Sequence, residues 1–242
     1  MPQRKWKMRV SFLHRVFDLI APRYCCICNG RLAPEEDTIC LSCNLHLPRT
    51  SYLDQPYDND LAKVFWGRVQ HIEKATALMF HYAGSESAYP IYNLKYHHRP
   101  EVGISLGRIL GLEMIHSGFT EGIDCIIPVP LSRNRQSERG YNQSELIAQG
   151  ISEVCHLQVK NHILSRRSFH GSQTSHDRWE RNANVEHAFM LTNGDKIRNS
   201  HVLLVDDIVT TGATMCACAA LLDQIEGIKI SVASIGFVDP KR

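Results

Sequence analysis

Residues 202–214 read VLLVDDIVTTGAT, and this stretch decides the fold. Its first four residues are aliphatic, which is typical of a buried strand in a parallel sheet, and the strand is predicted to end at Asp206 and Asp207. A loop rich in threonine and glycine follows, and residues 213–225 then have the composition of a helix packed closely on the sheet. This order of strand, loop and helix leaves several backbone N–H groups without partners, which predicts an anion site.

The paired carboxylates indicate that the ligand carries hydroxyl groups as well as an anionic group. Ribose hydroxyls next to a phosphate donate hydrogen bonds to carboxylates, so we predict a ribose 5-phosphate site with Asp206 and Asp207 on the 2- and 3-hydroxyls. The residues expected around the phosphate are Val209, Thr210, Thr211, Gly212, Ala213 and Thr214. A solvated strand end would explain an Asp pair alone, but the complete run is a more specific signal.

Composition limits the remaining functions. The chain has 242 residues, of which 43% are hydrophobic, enough for one main domain and a smaller neighbour. A formal net charge of +2 is too small to indicate nucleic-acid binding over the whole surface, and no apolar run is long enough to span a membrane. Nine cysteines without a credible export signal favour metal binding over disulfides and a reducing compartment, expected to be the cytoplasm.

Residues 1–24 are predicted to form a basic amphipathic helix. Arg4, Lys5, Lys7 and Arg9 precede apolar residues at helical spacing, and charged residues interrupt the apolar stretch too often for an export signal. We favour docking of its apolar face on the main domain. The alternative is a helix that lies on a membrane surface.

Residues 25–48 are predicted to form a zinc-finger module. Two Cys-x2-Cys pairs separated by eleven residues suit one tetrahedral zinc ion, with the ligands Cys25, Cys28, Cys40 and Cys43. Cys26 is an alternative to Cys25 as the first ligand, and a redox pair or unrelated buried thiols are alternatives to the metal site. Burial alone cannot fold so short a segment, so the metal is expected to supply most of its stability.

A polar linker is predicted over residues 49–70 and the main domain over residues 71–242. An edge strand near residues 71–82 opens this domain, and two helices follow. The first of these helices carries Lys95, which we expect to be a solvated charge rather than a diphosphate contact.

Two further segments are expected to reach the ligand. A buried strand over residues 124–129 leads into a basic loop that contains Pro130, Arg133, Arg135 and Arg139. Because ligands collect at the carboxyl ends of parallel strands, we expect this loop to share the crevice and to neutralise a diphosphate; the alternative is a loop whose arginines only solubilise. The long polar stretch at 165–185 is predicted to be a lid that contributes Arg178 or Arg181.

This combination of motifs resembles the ComF (GntX) family. The motifs that carry the resemblance are the four cysteines, Pro128-Val129-Pro130, Arg139-Gly140-Tyr141-Asn142-Gln143, Gln173, Arg178, Asn182 and the run from Val205 to Thr214. They span nearly the whole chain from Tyr24 onward, and Tyr141 stands where the family more usually has Phe. The resemblance implies a cytoplasmic bacterial protein of the α/β class. It further implies a type I phosphoribosyltransferase fold with a parallel sheet flanked by helices, Mg²⁺ with the diphosphate ligand, and a role in competence.

Two functions remain open from the sequence. The first is a phosphoribosyltransferase with catalytic Asp206 and Asp207, in which an unidentified acceptor attacks C1 of 5-phosphoribosyl diphosphate. The second is a non-catalytic sensor of that ligand that binds single-stranded DNA through basic and aromatic residues, for which Trp6, Tyr24, Tyr52, Trp66 and Tyr141 are available. Peripheral contact with the membrane machinery of DNA uptake is a further expectation.

Overall fold

The computed structural model describes residues 20–167 and 188–239, so the predicted helix over residues 1–24 lies mostly outside the described residues. The chain divides into two compact units, Met1–Leu47 and Pro48–Arg242. In the first unit, helix α1 (Leu41–His46) follows a turn that an antiparallel bridge between Tyr24 and Arg31 closes. Among residues 20–47 of this unit, few hydrophobic side chains are buried: Cys25, Cys26, Leu32, Ile39 and Leu47.

The second unit is built on a parallel sheet of five strands, which confirms the predicted α/β class. Their spatial order is β1 (Ile72–Phe80), β7 (Lys229–Phe237), β6 (His201–Val209), β2 (Cys125–Pro128) and β3 (Gln158–Val159), with labels numbered along the chain. The predicted edge strand β1 therefore lies at the edge, and β6 lies at the centre. Strands β4 (Leu164–Arg166) and β5 (Phe189–Leu191) form a separate antiparallel ribbon.

Helices cover the sheet. In chain order they are α2 (Asp60–Lys63), α3 (Tyr89–Tyr96), α4 (Pro100–His116), α5 (Arg133–Arg139), α6 (Gln143–Cys155) and α7 (Ala213–Leu222). One buried cluster joins Leu61 and Phe65 near α2 to Met215 of α7 and to Val202 and Leu204 of β6. Helix α6 packs against β6, β2 and α4. The central strand is consequently buried along most of its length.

The central strand is longer than the sequence analysis predicts. The strand does not end at the two acids, because residues beyond them keep pairing with β7: Ile208 pairs with Gly236 and Val209 with Phe237. Both acids therefore lie inside a regular strand, where successive side chains point to opposite faces of the sheet. This alternation separates Asp206 from Asp207.

Two other segments also differ from the predictions. Residues 49–70 do not form a linker: α2 lies within them, and Leu61 and Phe65 are fully buried in the core of the second unit. The basic loop forms helix α5, which the Ser132 side chain caps at its N-terminus and Gly140 ends with a φ of 80°. In both segments the polar composition suggested irregular structure. Burial of apolar side chains stabilises the helix within residues 49–70, and capping stabilises α5.

Glycines allow α4 and α6 to pack backbone against backbone. A Cβ placed on Gly107 would lie 2.2 Å from the carbonyl oxygen of Ile147, and one on Gly150 would lie 2.1 Å from the carbonyl oxygen of Ile104. These distances are too short for any side chain, and the opposing atoms are main chain. This contact fixes α6, whose first residues reach the site described below.

We therefore expect Gly150→Ala to destabilise the protein by about 1–3 kcal/mol, although alanine is the better helix former. Urea unfolding followed by circular dichroism measures the change. The exposed neighbour provides the matched control, since Gln149→Ala should leave the unfolding midpoint nearly unchanged. Equal stability of Gly150→Ala and the wild type would contradict the close helix contact.

Candidate metal and phosphoribosyl sites

The four predicted cysteine ligands come together in the first unit. The ligand atoms of Cys25, Cys28, Cys40 and Cys43 all lie within 4.8 Å of one another, and Cys26 is not part of this group. The Sγ atoms of Cys28 and Cys40 are 3.8 Å apart. Sulfurs bound tetrahedrally to one zinc ion at about 2.3 Å would be separated by about 3.8 Å. The cluster therefore fits a structural metal ion, with Cys25 rather than Cys26 as the first ligand.

Backbone amides around the cluster support thiolate ligands. The N–H groups of Ile27 and Cys40 donate to Cys25 Sγ at 3.5 and 3.4 Å, and Gly30 N–H donates to Cys28 Sγ at 3.4 Å. Burial acts to raise the pKa of the Cys25 thiol, but the N–H groups of Cys40, Cys28 and Ile27 outweigh it and lower the pKa to about 7. Such donors stabilise negative sulfur, which a bound cation also requires.

The predicted phosphate loop lines a small pocket in the second unit, where β6 leads into α7. Its volume is about 50 Å³, and its walls are Asp206, Ile208, Val209, Thr210, Thr211, Gly212, Ala213, Thr214 and Met215. Whole-ligand pockets usually measure roughly 300–1,000 Å³, so this pocket fits one group of a larger molecule. The N-cap residue Gly212 has no side chain to cap α7, and the Thr211 hydroxyl accepts a hydrogen bond from Ala213 N–H at 3.4 Å. The other N–H groups of a first helical turn have no partners within the helix. The pocket thus combines the geometry of an anion site with one carboxylate.

Gly212 makes this turn possible. Its φ is +76°, in the left-handed region that glycine tolerates best, and a Cβ there would lie 2.1 Å from Cγ1 of Val64. Val64 follows α2, within the segment that was predicted to be a linker. The loop is therefore held against the core of its own unit.

Asp206 is the acid that reaches the pocket. Its Oδ1 accepts hydrogen bonds from the Ser144 hydroxyl at 2.9 Å and from the Asp207 N–H at 2.8 Å. Burial, the largest cause, and the neighbouring charge of Asp207 raise the pKa of Asp206 to about 7, although both donors and Lys95 act to lower it. The carboxyl group is therefore poised between its neutral and ionised forms near neutral pH.

Asp207 has different surroundings. Its Oδ2 lies 3.0 Å from Nζ of Lys95, and the two side chains are 11% and 18% exposed. The expectation that Lys95 is a solvated helix charge is therefore wrong. The position of Lys95 on α3 suggested that its side chain is exposed to solvent. The tertiary fold instead brings it to Asp207 on β6.

The predicted arginines lie in three different settings. Arg133 and Arg135 are exposed on α5. Arg139 ends that helix, and its Nη1 donates to Gln143 Oε1 at 2.8 Å. Pro130 is partly buried beyond β2, and Arg178 and Arg181 lie outside the described residues.

Arg166 is an arginine near the site that the sequence analysis did not select. Burial and the charge of Arg135 lower its pKa, whereas Cys218 and Asp206 act to raise it, so this guanidinium lies within electrostatic reach of the acid. Its guanidinium carbon also lies 5.1 Å from the centre of the Phe189 ring on β5. The pairing of β4 with β5 places Arg166 here, and nothing in its local sequence predicts that pairing.

Sequence comparison with known proteins agrees with this fold. The family model of the phosphoribosyl transferase domain matches residues 144–239. The DNA utilization protein YhgH of Escherichia coli K12 is 32% identical over 206 residues, covering 82% of this chain and 83% of its own. Competence protein F of Haemophilus influenzae is 31% identical, covering 59% of this chain and 64% of its own. A solved adenine phosphoribosyltransferase from Saccharomyces cerevisiae is 15% identical, covering 59% of this chain and 72% of its own, with a TM-score of 0.39.

The sheet, the strand–loop–helix pocket and the domain match define a protein of the type I phosphoribosyltransferase fold. The similarity to YhgH over about four fifths of both chains and the match to competence protein F are more specific. The chain belongs to the ComF family. Among the described residues, no helix has the length and apolar character needed to cross a bilayer.

We expect the purified protein to carry one zinc ion per chain, measurable by atomic emission. Cys28→Ser should lose the ion because it removes one of four thiolates, and chelation should unfold the first unit, since so few hydrophobic side chains are buried there.

Cys26→Ser provides the matched control and should keep its zinc, since Cys26 lies outside the cluster. Equal metal content in all three proteins would refute the assignment of these ligands.

Proposed function

We propose that this protein binds 5-phosphoribosyl diphosphate together with Mg²⁺ and transfers its phosphoribosyl group to an acceptor. One observation carries the proposal: a single pocket joins the carboxylate of Asp206 to the Thr210–Thr214 loop and the N-terminus of α7. A phosphate with an adjacent sugar matches both parts of that pocket. The loop and the N-terminus of α7 attract an anion, and the carboxylate accepts hydrogen bonds from hydroxyls.

The arginines supply the charge that the diphosphate needs. Arg133, Arg135 and Arg139 follow the carboxyl end of β2, the strand next to β6, and Arg166 lies within electrostatic reach of Asp206. Guanidinium groups make forked hydrogen bonds to phosphate oxygens, so these residues are suited to the leaving group. Mg²⁺, bound through the oxygens of the ligand, would neutralise further charge on the diphosphate.

The proposed reaction exchanges one bond at C1 of the ribose. The bond from C1 to the diphosphate oxygen breaks, and its electron pair leaves with the diphosphate. A lone pair on the acceptor forms the new bond to C1, and the proton of the acceptor passes to solvent. The protein contributes placement of the sugar phosphate by the pocket and stabilisation of charge by the arginines.

Asp206→Asn should weaken binding of 5-phosphoribosyl diphosphate at least tenfold, since a charge-assisted hydrogen bond contributes about 1.5–3 kcal/mol. Isothermal calorimetry with Mg²⁺ measures this loss. The amide oxygen of asparagine can still accept from Ser144 and from the N–H of Asp207, so the fold is expected to remain intact. Unchanged affinity in this variant would show that Asp206 does not contact the ligand.

The stability of the folded protein should fall, and its affinity for the ligand should rise, as Asp206 ionises with increasing pH. Because the pKa of Asp206 is raised to about 7 in the folded protein, the native state binds more protons than the unfolded state between about pH 4 and pH 7. The contribution of Asp206 to stability therefore falls as the pH rises through this window, and Asp206→Asn should gain stability relative to the wild type. Binding by the wild type should strengthen over the upper part of the same window, as the carboxylate forms.

Transfer itself is tested by diphosphate release from 5-phosphoribosyl diphosphate in the presence of candidate bases. The relatives are named for DNA utilization and competence, and we propose that this protein has a similar role in the handling of incoming DNA in the cytoplasm. Tight binding without release would favour a sensor over an enzyme.

An aromatic face on α3 favours single-stranded DNA as a binding partner. Pro90, Ile91 and Leu94 point into the core, whereas Tyr89, Tyr92 and Tyr96 are 47%, 51% and 60% exposed. The rings of Tyr92 and Tyr96 lie 4.9 Å apart, the ring of His97 lies 5.2 Å from Tyr92, and the guanidinium of Arg139 lies 5.7 Å from the ring centre of Tyr96. Open aromatic surfaces beside arginine stack unpaired bases and attract their phosphates. This face was not among the aromatic residues chosen from the sequence.

The double variant Tyr92→Ala, Tyr96→Ala should bind labelled single-stranded oligonucleotides at least tenfold more weakly, whatever their sequence, because a stacked base contributes about 1–3 kcal/mol. Fluorescence anisotropy measures the affinity. Tyr57, which is 63% exposed elsewhere, provides the control variant Tyr57→Ala. If that control loses as much affinity as the double variant, binding is diffuse and the face has no special role.

A further inference from the structure

Arg139 lies between the two proposed binding regions, the pocket at the start of α7 and the aromatic face of α3. Its guanidinium carbon is 5.7 Å from the ring centre of Tyr96, and its Nη1 donates to Gln143 Oε1 at 2.8 Å. The next residue, Ser144, donates its hydroxyl proton to Asp206 in the pocket at 2.9 Å. A continuous series of contacts therefore leads from the exposed tyrosines to the pocket, and Arg139 is the cation beside the tyrosines.

The end of α5, which carries Arg139, is attached to the end of α3. The Tyr141 hydroxyl donates to the carbonyl oxygen of Leu94 at 2.7 Å, and Nδ1 of His98 lies 3.3 Å from the carbonyl oxygen of Arg139. The main chain at Arg139 therefore cannot shift without breaking contacts to α3. The aromatic face and this arginine keep a fixed separation.

Gln143 holds the side chain of Arg139 at the same place. Gln143 is 1% exposed, and its Nε2 is buried with no hydrogen-bond partner among the described residues. Movement of Arg139 would also take the hydrogen bond from Oε1 of this amide, and unpaired buried polar groups are costly. The bond to Gln143 uses one of the five guanidinium N–H groups, so others remain for an anion. Arg139 is thus a nearly fixed charge with donors available.

We propose that Arg139 couples the two ligands antagonistically: 5-phosphoribosyl diphosphate bound with Mg²⁺ weakens the binding of single-stranded DNA to the aromatic face of α3, and DNA weakens the binding of the diphosphate ligand. This inference rests on the proposed function, which gives the protein both ligands. A phosphate that pairs with Arg139 neutralises its charge, so a second anion gains less there and is repelled by the first. Thermodynamic linkage makes the two effects equal. DNA is therefore held most tightly when the phosphoribosyl site is empty.

The coupling is measured by fluorescence anisotropy of a labelled single-stranded oligonucleotide, with and without saturating 5-phosphoribosyl diphosphate and Mg²⁺ at constant ionic strength. The wild type should bind the oligonucleotide about fivefold more weakly, or weaker still, when the ligand is present, which is the lower end of typical coupling between sites. Calorimetry of the diphosphate ligand with and without unlabelled oligonucleotide should give the same factor. Equal affinities in both conditions would overturn the proposal.

Variants of Arg139 separate coupling from direct overlap of the ligands. Arg139→Gln removes the charge, so each ligand alone should bind more weakly and the coupling should disappear. Arg139→Lys keeps the charge and should retain the coupling, which separates loss of charge from a general disturbance of the fold. Arg198→Gln is the matched control, since Arg198 is exposed and pairs with Asp195 and Glu226 at the surface. Coupling that persists in Arg139→Gln, or that is lost in Arg139→Lys, would contradict the proposal.

Failure of the proposed function gives a different result. If the wild type bound no 5-phosphoribosyl diphosphate, or bound no oligonucleotide, the proposed function would be wrong and the coupling would fall with it. If both ligands bound and neither affected the other, the proposed function would stand and only this inference would be overturned.

Discussion

The close approach of Gly212 to Val64 is the contact on which the candidate phosphoribosyl site depends. The chain must leave β6, reverse direction and begin α7 within three residues, and the turn passes so near Val64 that no Cβ can be accommodated. A left-handed φ at this point aims the start of α7 at the pocket. The loop therefore owes its shape to packing within its own unit, and a ligand bound there would meet backbone groups that are already oriented.

Asp206 shows how a buried acid in a candidate site lowers the stability of the folded protein. A carboxylate flanked by apolar neighbours and a second acid favours its protonated form, which is why its pKa is raised. Two donors on Oδ1 and the charge of Lys95 act against this effect without cancelling it. An apolar residue would be buried here at a lower free-energy cost, so the presence of the acid supports the ligand-binding role proposed for it. A sugar with neighbouring hydroxyls would supply further hydrogen-bond donors to this carboxylate.

The sequence predicts those parts of the molecule whose causes are local. The cysteine spacing determines which sulfurs can meet, and the run from Val202 to Thr214 contains the strand, the turn and the helix start in consecutive residues. Residues placed by distant packing could not be found in the same way. Lys95 of α3 pairs with Asp207, and Arg166 of β4 lies within electrostatic reach of Asp206, and both arrangements come from the tertiary fold. Both residues have unremarkable neighbours in the sequence, so nothing local distinguishes them from solvated charges.

The errors over residues 49–70 and over α5 have a common origin. In both segments polar residues outnumber apolar ones, and polarity was taken to mean irregular structure. Leu61 and Phe65 nevertheless provide enough apolar surface to bury α2 in the core, and Ser132 and Gly140 supply the two ends of α5 although none of its residues is buried. A helix needs one buried stripe or two good caps, and neither requires a high overall hydrophobicity. The same reasoning explains the exposed tyrosines of α3: its buried residues suffice to hold the helix, which leaves the outer face open to a role other than packing.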